Sequence, residues 1–254
     1  MNYLRWLLLP LFAVLPLLAL GAQPSAEEVI AKARSYVGKE RDLDGIRSLH
    51  YRGRLEVRDA AGALVDSASG TIEMFLQRPG QQKIVSVVGP LRDTMGLDEF
   101  TGWQRVEQLA QPAQGRTTIL PLAQLRRTQA SAFENLSFFR GIEKRGGRIE
   151  LRGETTVDGR AALAVAFIHP GNIVYLRSFD KETGRLLLTE GEGGEQMREE
   201  GEVVVAGIRF PRRLTSTRRN AEGHAYSVTL FFDEVRVNEV FPADTFAVPM
   251  VVSR

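Results

Sequence analysis

From Ile149 onward the chain seldom leaves a strand pattern. Segments at Ile149–Glu154, Ala162–Ile168, Ile173–Phe179, Arg185–Glu190, Glu202–Ala206, Ile208–Thr217 and Ala225–Val237 alternate or run apolar, and Gly, Asp, Asn or Pro separates most of them. Consecutive short strands divided by turn residues specify an antiparallel sheet. So much strand leaves little helix to cover the sheet. A large curved sheet with few helices suggests a hollow that holds an apolar ligand.

The first half extends the pattern. Leu49, Tyr51, Gly53, Leu55 and Val57 alternate with His50, Arg52, Arg54, Glu56 and Arg58, the signature of a half-buried strand. A turn near Ala60-Ala61-Gly62 leads to a partner carrying Ile72, Met74 and Leu76 on one face, and Lys83–Val88 and Gly102–Val106 read as further strands. Two helices interrupt the strands. Ser25-Ala26-Glu27-Glu28 is a capping box that opens a helix over Ala26–Val37, stopped by Gly38. Pro121 opens the second, whose stripe is Leu122, Leu125, Gln129, Ala132, Phe133 and Leu136. The fold class expected is mainly β with a few helices (α+β). No linker composition divides the chain, so residues 23–254 read as one domain. In Ala162–Ile168 and Ala225–Phe232 the second face carries small or non-polar residues, which lets a helix or a ligand approach closely, or simply tolerates a covered surface.

The N-terminus reads as a secretory signal peptide over residues 1–22: Arg5, an uncharged stretch at Trp6–Leu20 broken by Pro10 and Pro16, then small residues to Ala22. The stretch is short for a spanning helix, the alternative being an uncleaved anchor. The chain has no cysteine. An exported product therefore has no disulfide framework, and no site for the lipid of a bacterial lipoprotein. A soluble periplasmic protein is expected. Lys plus Arg number 33 and Asp plus Glu 31, a balance that gives no electrostatic reason for nucleic acid as partner.

Chemistry is sparse. His50, His169 and His224 are widely separated and no cysteine accompanies them, so no metal spacing exists. There is no Gly-x-Ser-x-Gly elbow, and no two carboxylates stand out as an acid–base pair. Gly191-Glu192-Gly193-Gly194-Glu195 carries carboxylates that would repel phosphate, so it reads as a hairpin tip. Neither enzyme activity nor a cofactor is expected.

Several landmarks in order resemble the LolA/LolB-like superfamily, periplasmic lipoprotein carriers and uncharacterised relatives. They are the strand at Leu49–Arg58 with a partner ending in Leu76-Gln77-Arg78-Pro79, then Leu97-Asp98-Glu99-Phe100-Thr101-Gly102-Trp103. Phe179-Asp180-Lys181-Glu182-Thr183-Gly184-Arg185-Leu186, Gly207-Ile208-Arg209-Phe210-Pro211 and Val235-Arg236-Val237-Asn238 follow, with Phe246 and Pro249 last. The Trp103 region lacks the Asp-Gly dipeptide usual in that superfamily. The resemblance implies an open, incomplete antiparallel barrel, a half-shell of about eleven strands, whose apolar concave face is lidded by helices. It further implies that the hollow shields acyl chains of lipoproteins or lipids in transfer toward the outer membrane, between an inner-membrane donor and an outer-membrane acceptor. Arg78 matches the arginine that latches the lid. On this reading the apolar wall is drawn from Met74, Leu76, Trp103, Phe210 and Leu230, and the lid from Leu122, Leu125, Phe133 and Leu136. A monomer is expected. The alternatives are a periplasmic lipid or envelope-stress sensor built on the same shell and, third, a lipid or glycan hydrolase, which would need a polar cluster inside the shell.

Overall fold

The computed structural model describes residues 23–220 and 222–249, and the expected signal sequence at 1–22 lies outside them. The first helix, α1 (Ala26–Val37), starts as its sequence dictates: Ser25 Oγ accepts from the Glu28 N–H at 3.2 Å, and Glu28 Oε2 accepts from the Ser25 N–H at 2.7 Å. A short α2 (Glu40–Asp44) follows. Six strands come next, β1 (Ser48–Arg58), β2 (Gly70–Gln77), β3 (Gln81–Val88), β4 (Leu91–Asp98), β5 (Thr101–Gln108) and β6 (Gln111–Ile119). Helix α3 (Leu122–Ser137) separates them from β7 (Arg148–Val157), β8 (Arg160–His169), β9 (Ile173–Asp180), β10 (Leu186–Glu190), β11 (Gln196–Glu200), β12 (Val203–Val205), β13 (Ile208–Phe210), β14 (Arg213–Arg219) and β15 (Ala225–Val237).

Thirteen strands form one antiparallel sheet in the order β6-β5-β4-β3-β2-β1-β15-β14-β11-β10-β9-β8-β7, and β12 and β13 form a separate ribbon. The two ends of the large sheet, β6 and β7, are not paired with each other, so the barrel is open. The count exceeds the expected eleven for a physical reason. β6 and β11 carry mostly polar residues, such as Gln-Met-Arg-Glu-Glu in β11, and in β4 Asp93 interrupts the apolar set Leu91, Met95 and Leu97, so none shows the unbroken alternation that announces a strand. The expected strand at Ile208–Thr217 is broken into β13 and β14 at Pro211, which cannot donate to a ladder.

The sheet is curved, and α3 demonstrates it. Asn135 donates to Gln82 on β3 at 3.3 Å, while its neighbour Glu134 bonds His169 on β8 at 2.7 Å and accepts from Arg177 on β9. β3 and β9 are seven steps apart in the sheet order, about 34 Å on a flat sheet at ~4.8 Å per step. A helix is only about 10–12 Å across, so contact on both flanks requires the sheet to curl around it. One local device helps. Between Arg52 and Gly53 the β1–β15 register slips at a bulge, and a Cβ on Gly53 would lie 1.8 Å from the Phe231 carbonyl oxygen. Only glycine admits that approach, and bulges of this kind bend strands.

Two cores result. Val29, Ile30 and Ala33 of α1 bury against Leu163, Val165, Phe167 and Phe179 of β8 and β9. Leu43, Ile46, Leu136, Ile208 and Phe210 bury against Leu49 and Leu76 of β1 and β2.

Candidate functional site

Strand alternation divides the sheet into a face that bears the helices and an outer face. On the helix-bearing face, one row joins Leu49, Leu76, Gln82 and Leu97 across β1 to β4. Leu76 and Leu97 are fully buried, and Leu136 of α3 closes over this row. Further along the same face the helices stop covering the sheet. Met74 and Ile84 beside Tyr51, and Leu230 and Leu214 beside Leu55, are half-buried and belong to neither core; Met197 is likewise half-buried. Half-buried apolar side chains therefore remain on this face beyond the cores that the described helices cover.

The end of α3 is held by two arginines. Arg78 donates from Nη2 to the Leu136 carbonyl at 2.9 Å. Arg34, buried on α1, donates from Nη1 to the Phe138 carbonyl at 2.7 Å. These are among the last carbonyls of a helix, which have no partner within it, and a guanidinium offers several donors in a fixed fork. Arg34 is itself fixed by Glu40 at 2.6 Å and Asp44 at 3.2 Å, and Arg140 reaches Asp44 at 2.6 Å. Hydrogen bonding to Arg34 holds the Glu40 carboxyl below the usual range against the pull of burial. Immediately after the helix, Phe138 and Phe139 both adopt positive φ, 47° and 69°. Such conformations cost bulky residues on the order of 1–3 kcal/mol each, so this end of α3 is strained and held from outside.

A charged cluster lies inside the shell. Glu134 meets His169 Nε2 at 2.7 Å and accepts from Arg177, whose guanidinium packs on the rings of Phe167 at 4.8 Å and Phe139 at 5.1 Å. The three side chains are 3%, 5% and 9% exposed. Burial pulls the Glu134 carboxyl up, but Arg177 and His169 outweigh it and hold the group ionised below the usual range. Close by on β11, burial pushes Glu199 above the usual carboxylate range, with Arg177 and Arg185 opposing. The cluster joins α3 to β8 and β9. Among the described residues no group of acids and histidines could hold a metal ion.

The residues singled out from the sequence fall in different places. Met74 and Leu230 are half-buried on the helix-bearing face and belong to no core cluster. Leu76, Phe210 and Leu136 are in the core beneath α3 and α2, and Leu125 lies over Gly102, where a Cβ would come within 3.0 Å of its side chain. Phe133 stands edge-on to His169 at 5.8 Å. Leu122 is 61% exposed at the start of α3 and covers nothing in the hollow. Trp103 is a correction: it points to the outer face. It is opposite Gly96, whose missing side chain leaves room for the indole, and its Nε1 donates to the Phe246 carbonyl at 3.0 Å. Trp103 anchors the C-terminal segment, in which Phe241 also packs on Phe75 and His50.

Arg34, Glu134 and Arg177 were not anticipated. A signal existed for the first two: each places a charge within the buried stripe of an amphipathic helix, a position that demands a partner. Arg177 in Leu-Arg-Ser-Phe gives no such sign.

A curled, open antiparallel sheet with a helix fastened across its hollow defines the class: the chain has a LolA-like fold. It is similar to a LolA superfamily protein from Nitrosomonas europaea at TM-score 0.58 and 11% identity, over 89% of this chain and 99% of that one. A DUF1329 family protein from Desulfovibrio piger is similar at TM-score 0.56 and 9% identity, over 88% and 98%. A protein domain assigned to outer membrane lipoprotein sorting, from Vibrio parahaemolyticus, is similar at TM-score 0.54 and 13% identity, over 87% and 97%. No protein-family model and no curated protein matches the sequence. Among the described residues no helix is long and apolar enough to cross a membrane.

Proposed function

We propose that this protein is a periplasmic carrier that shelters acyl chains of lipids or lipoproteins on the helix-bearing face of its sheet. The observation that carries the reading is the half-buried apolar set Met74, Ile84, Leu214 and Leu230, left outside both cores in a hollow that α3 only partly covers. Each methylene removed from water is worth about 0.8 kcal/mol, so a chain of ten or more offsets the loss of a few hydrogen bonds at the end of α3. Arg78 and Arg34 keep α3 seated until then, and the buried Glu134 cluster is its anchor to β8 and β9. Transfer from an inner-membrane donor to an outer-membrane acceptor belongs to the same reading, as does export by residues 1–22.

The test is uptake. Delipidated protein is titrated with a fluorescent fatty-acyl probe, and saturable binding with about one chain per molecule is expected. Failure to take up the probe at micromolar concentrations rejects the carrier reading. A stable complex with a protein from the cell envelope and no acyl uptake would favour a sensor on the same fold.

A further inference from the structure

A cavity of about 540 Å³ opens beside the end of α3 between Pro79-Gly80, the Glu99-Phe100 hairpin tip and the turn after α3. Its floor is apolar, Phe133 and Leu136. Four cations line it, Arg78, Arg140, Lys144 and Arg145, against two carboxylates, Asp44 and Glu99. Asp44 is already engaged by Arg140 and Arg34. Among the described residues Arg78, Lys144 and Arg145 form no ion pair; Arg145 lies over the Phe133 ring at 5.3 Å, and Arg78 spends its charge on a neutral carbonyl. Phe100, 79% exposed, stands at the rim.

Apolar floor and surplus positive charge in one cleft are complementary to an anionic amphiphile. We infer that this cavity takes the net-anionic phosphate headgroup of an acyl lipid, with Arg78, Lys144 and Arg145 as its counter-charges; the inference rests on the carrier reading and names its ligand class. A phosphate offers a guanidinium a charged, bidentate partner, stronger than the single neutral carbonyl of Leu136. Headgroup binding therefore draws Arg78 off α3. The residue that keeps the helix seated is the one that senses the ligand's charge, and entry of the headgroup loosens the cover over the hollow.

The experiment compares two lysolipids of identical chain, lysophosphatidylglycerol and lysophosphatidylcholine, with inorganic phosphate as a third arm, by calorimetry on the delipidated full chain. The anionic lipid is expected to bind at least tenfold tighter than the zwitterionic one, with the preference shrinking in 0.5 M salt. Lys144→Glu with Arg145→Glu, both on exposed positions, is expected to abolish the preference by weakening the anionic lipid at least tenfold. Hydrogen exchange at residues 130–137 should rise with the anionic lipid only. Equal affinities for the two lipids overturn the headgroup site and leave the carrier reading standing, and binding of neither overturns both. Inorganic phosphate binding as tightly as the anionic lipid overturns the headgroup assignment in favour of a small-anion site.

Discussion

At the scale of the residue, the consequential groups are charges placed where an apolar side chain would ordinarily be. Glu134 is stable as an ion because Arg177 and His169 meet it in a space closed to water. Glu134→Gln leaves the Arg177 charge buried without its counter-ion, and an expected loss of about 3–5 kcal/mol is measurable by urea unfolding. Its pH dependence has a definite sign. A carboxyl whose folded pKa is lowered stabilises above its unfolded pKa of about 4.3 and loses that contribution as the pH falls through the folded value. The wild-type protein should therefore lose stability on acidification below about pH 4 more steeply than Glu134→Gln. Glu199 has the opposite sign, because burial raises its pKa. Its cost to folding grows as the pH rises above the unfolded pKa of about 4.3 and is complete above the raised folded value, so Glu199→Gln is expected to raise the urea midpoint at pH 7, a gain that vanishes below about pH 4.

At the scale of the element, the decisive piece is α3, which is joined to the first half of the sheet through Leu136 and Asn135 and to the second through Glu134. Arg78→Leu removes one charged donor from its last turn, a change of about 1.5–3 kcal/mol. Hydrogen exchange in α3 should accelerate at least tenfold while exchange in β8 and β9 is unchanged. Loss is partial because Arg34 still holds Phe138. The outer face has its own fastening. Trp103→Phe deletes the bond to the Phe246 carbonyl and is expected to cost about 1–3 kcal/mol in thermal or urea unfolding, with acyl uptake unaffected because the indole faces away from the hollow. The capping box of α1, the stripe of α3 and the long alternating strands were legible because local periodicity reports a buried face directly. β4, β6 and β11 were not, because their pairing comes from neighbouring strands while β6 and β11 are mostly polar and Asp93 breaks the alternation of β4.

At the scale of the whole molecule, thirteen strands coil around too few helices, and the carrier reading follows from the surface left over. Leu230→Gln places an amide in that surface without opening a core, so acyl-probe affinity should fall about tenfold while stability changes by roughly 1 kcal/mol or less. Sequence alone determined that the chain is an antiparallel sheet with a helix before it and another in its middle, and that Arg78 stands at the end of β2, because alternation, caps and turn residues act within a few positions of themselves. The tertiary structure decided the rest. It turned Trp103 outward, assembled Glu134, His169 and Arg177 from three elements, and gathered Arg78, Lys144 and Arg145 around one cleft. Those juxtapositions depend on how far the sheet curls, a sum of twist and bulge over many strands that no single segment encodes.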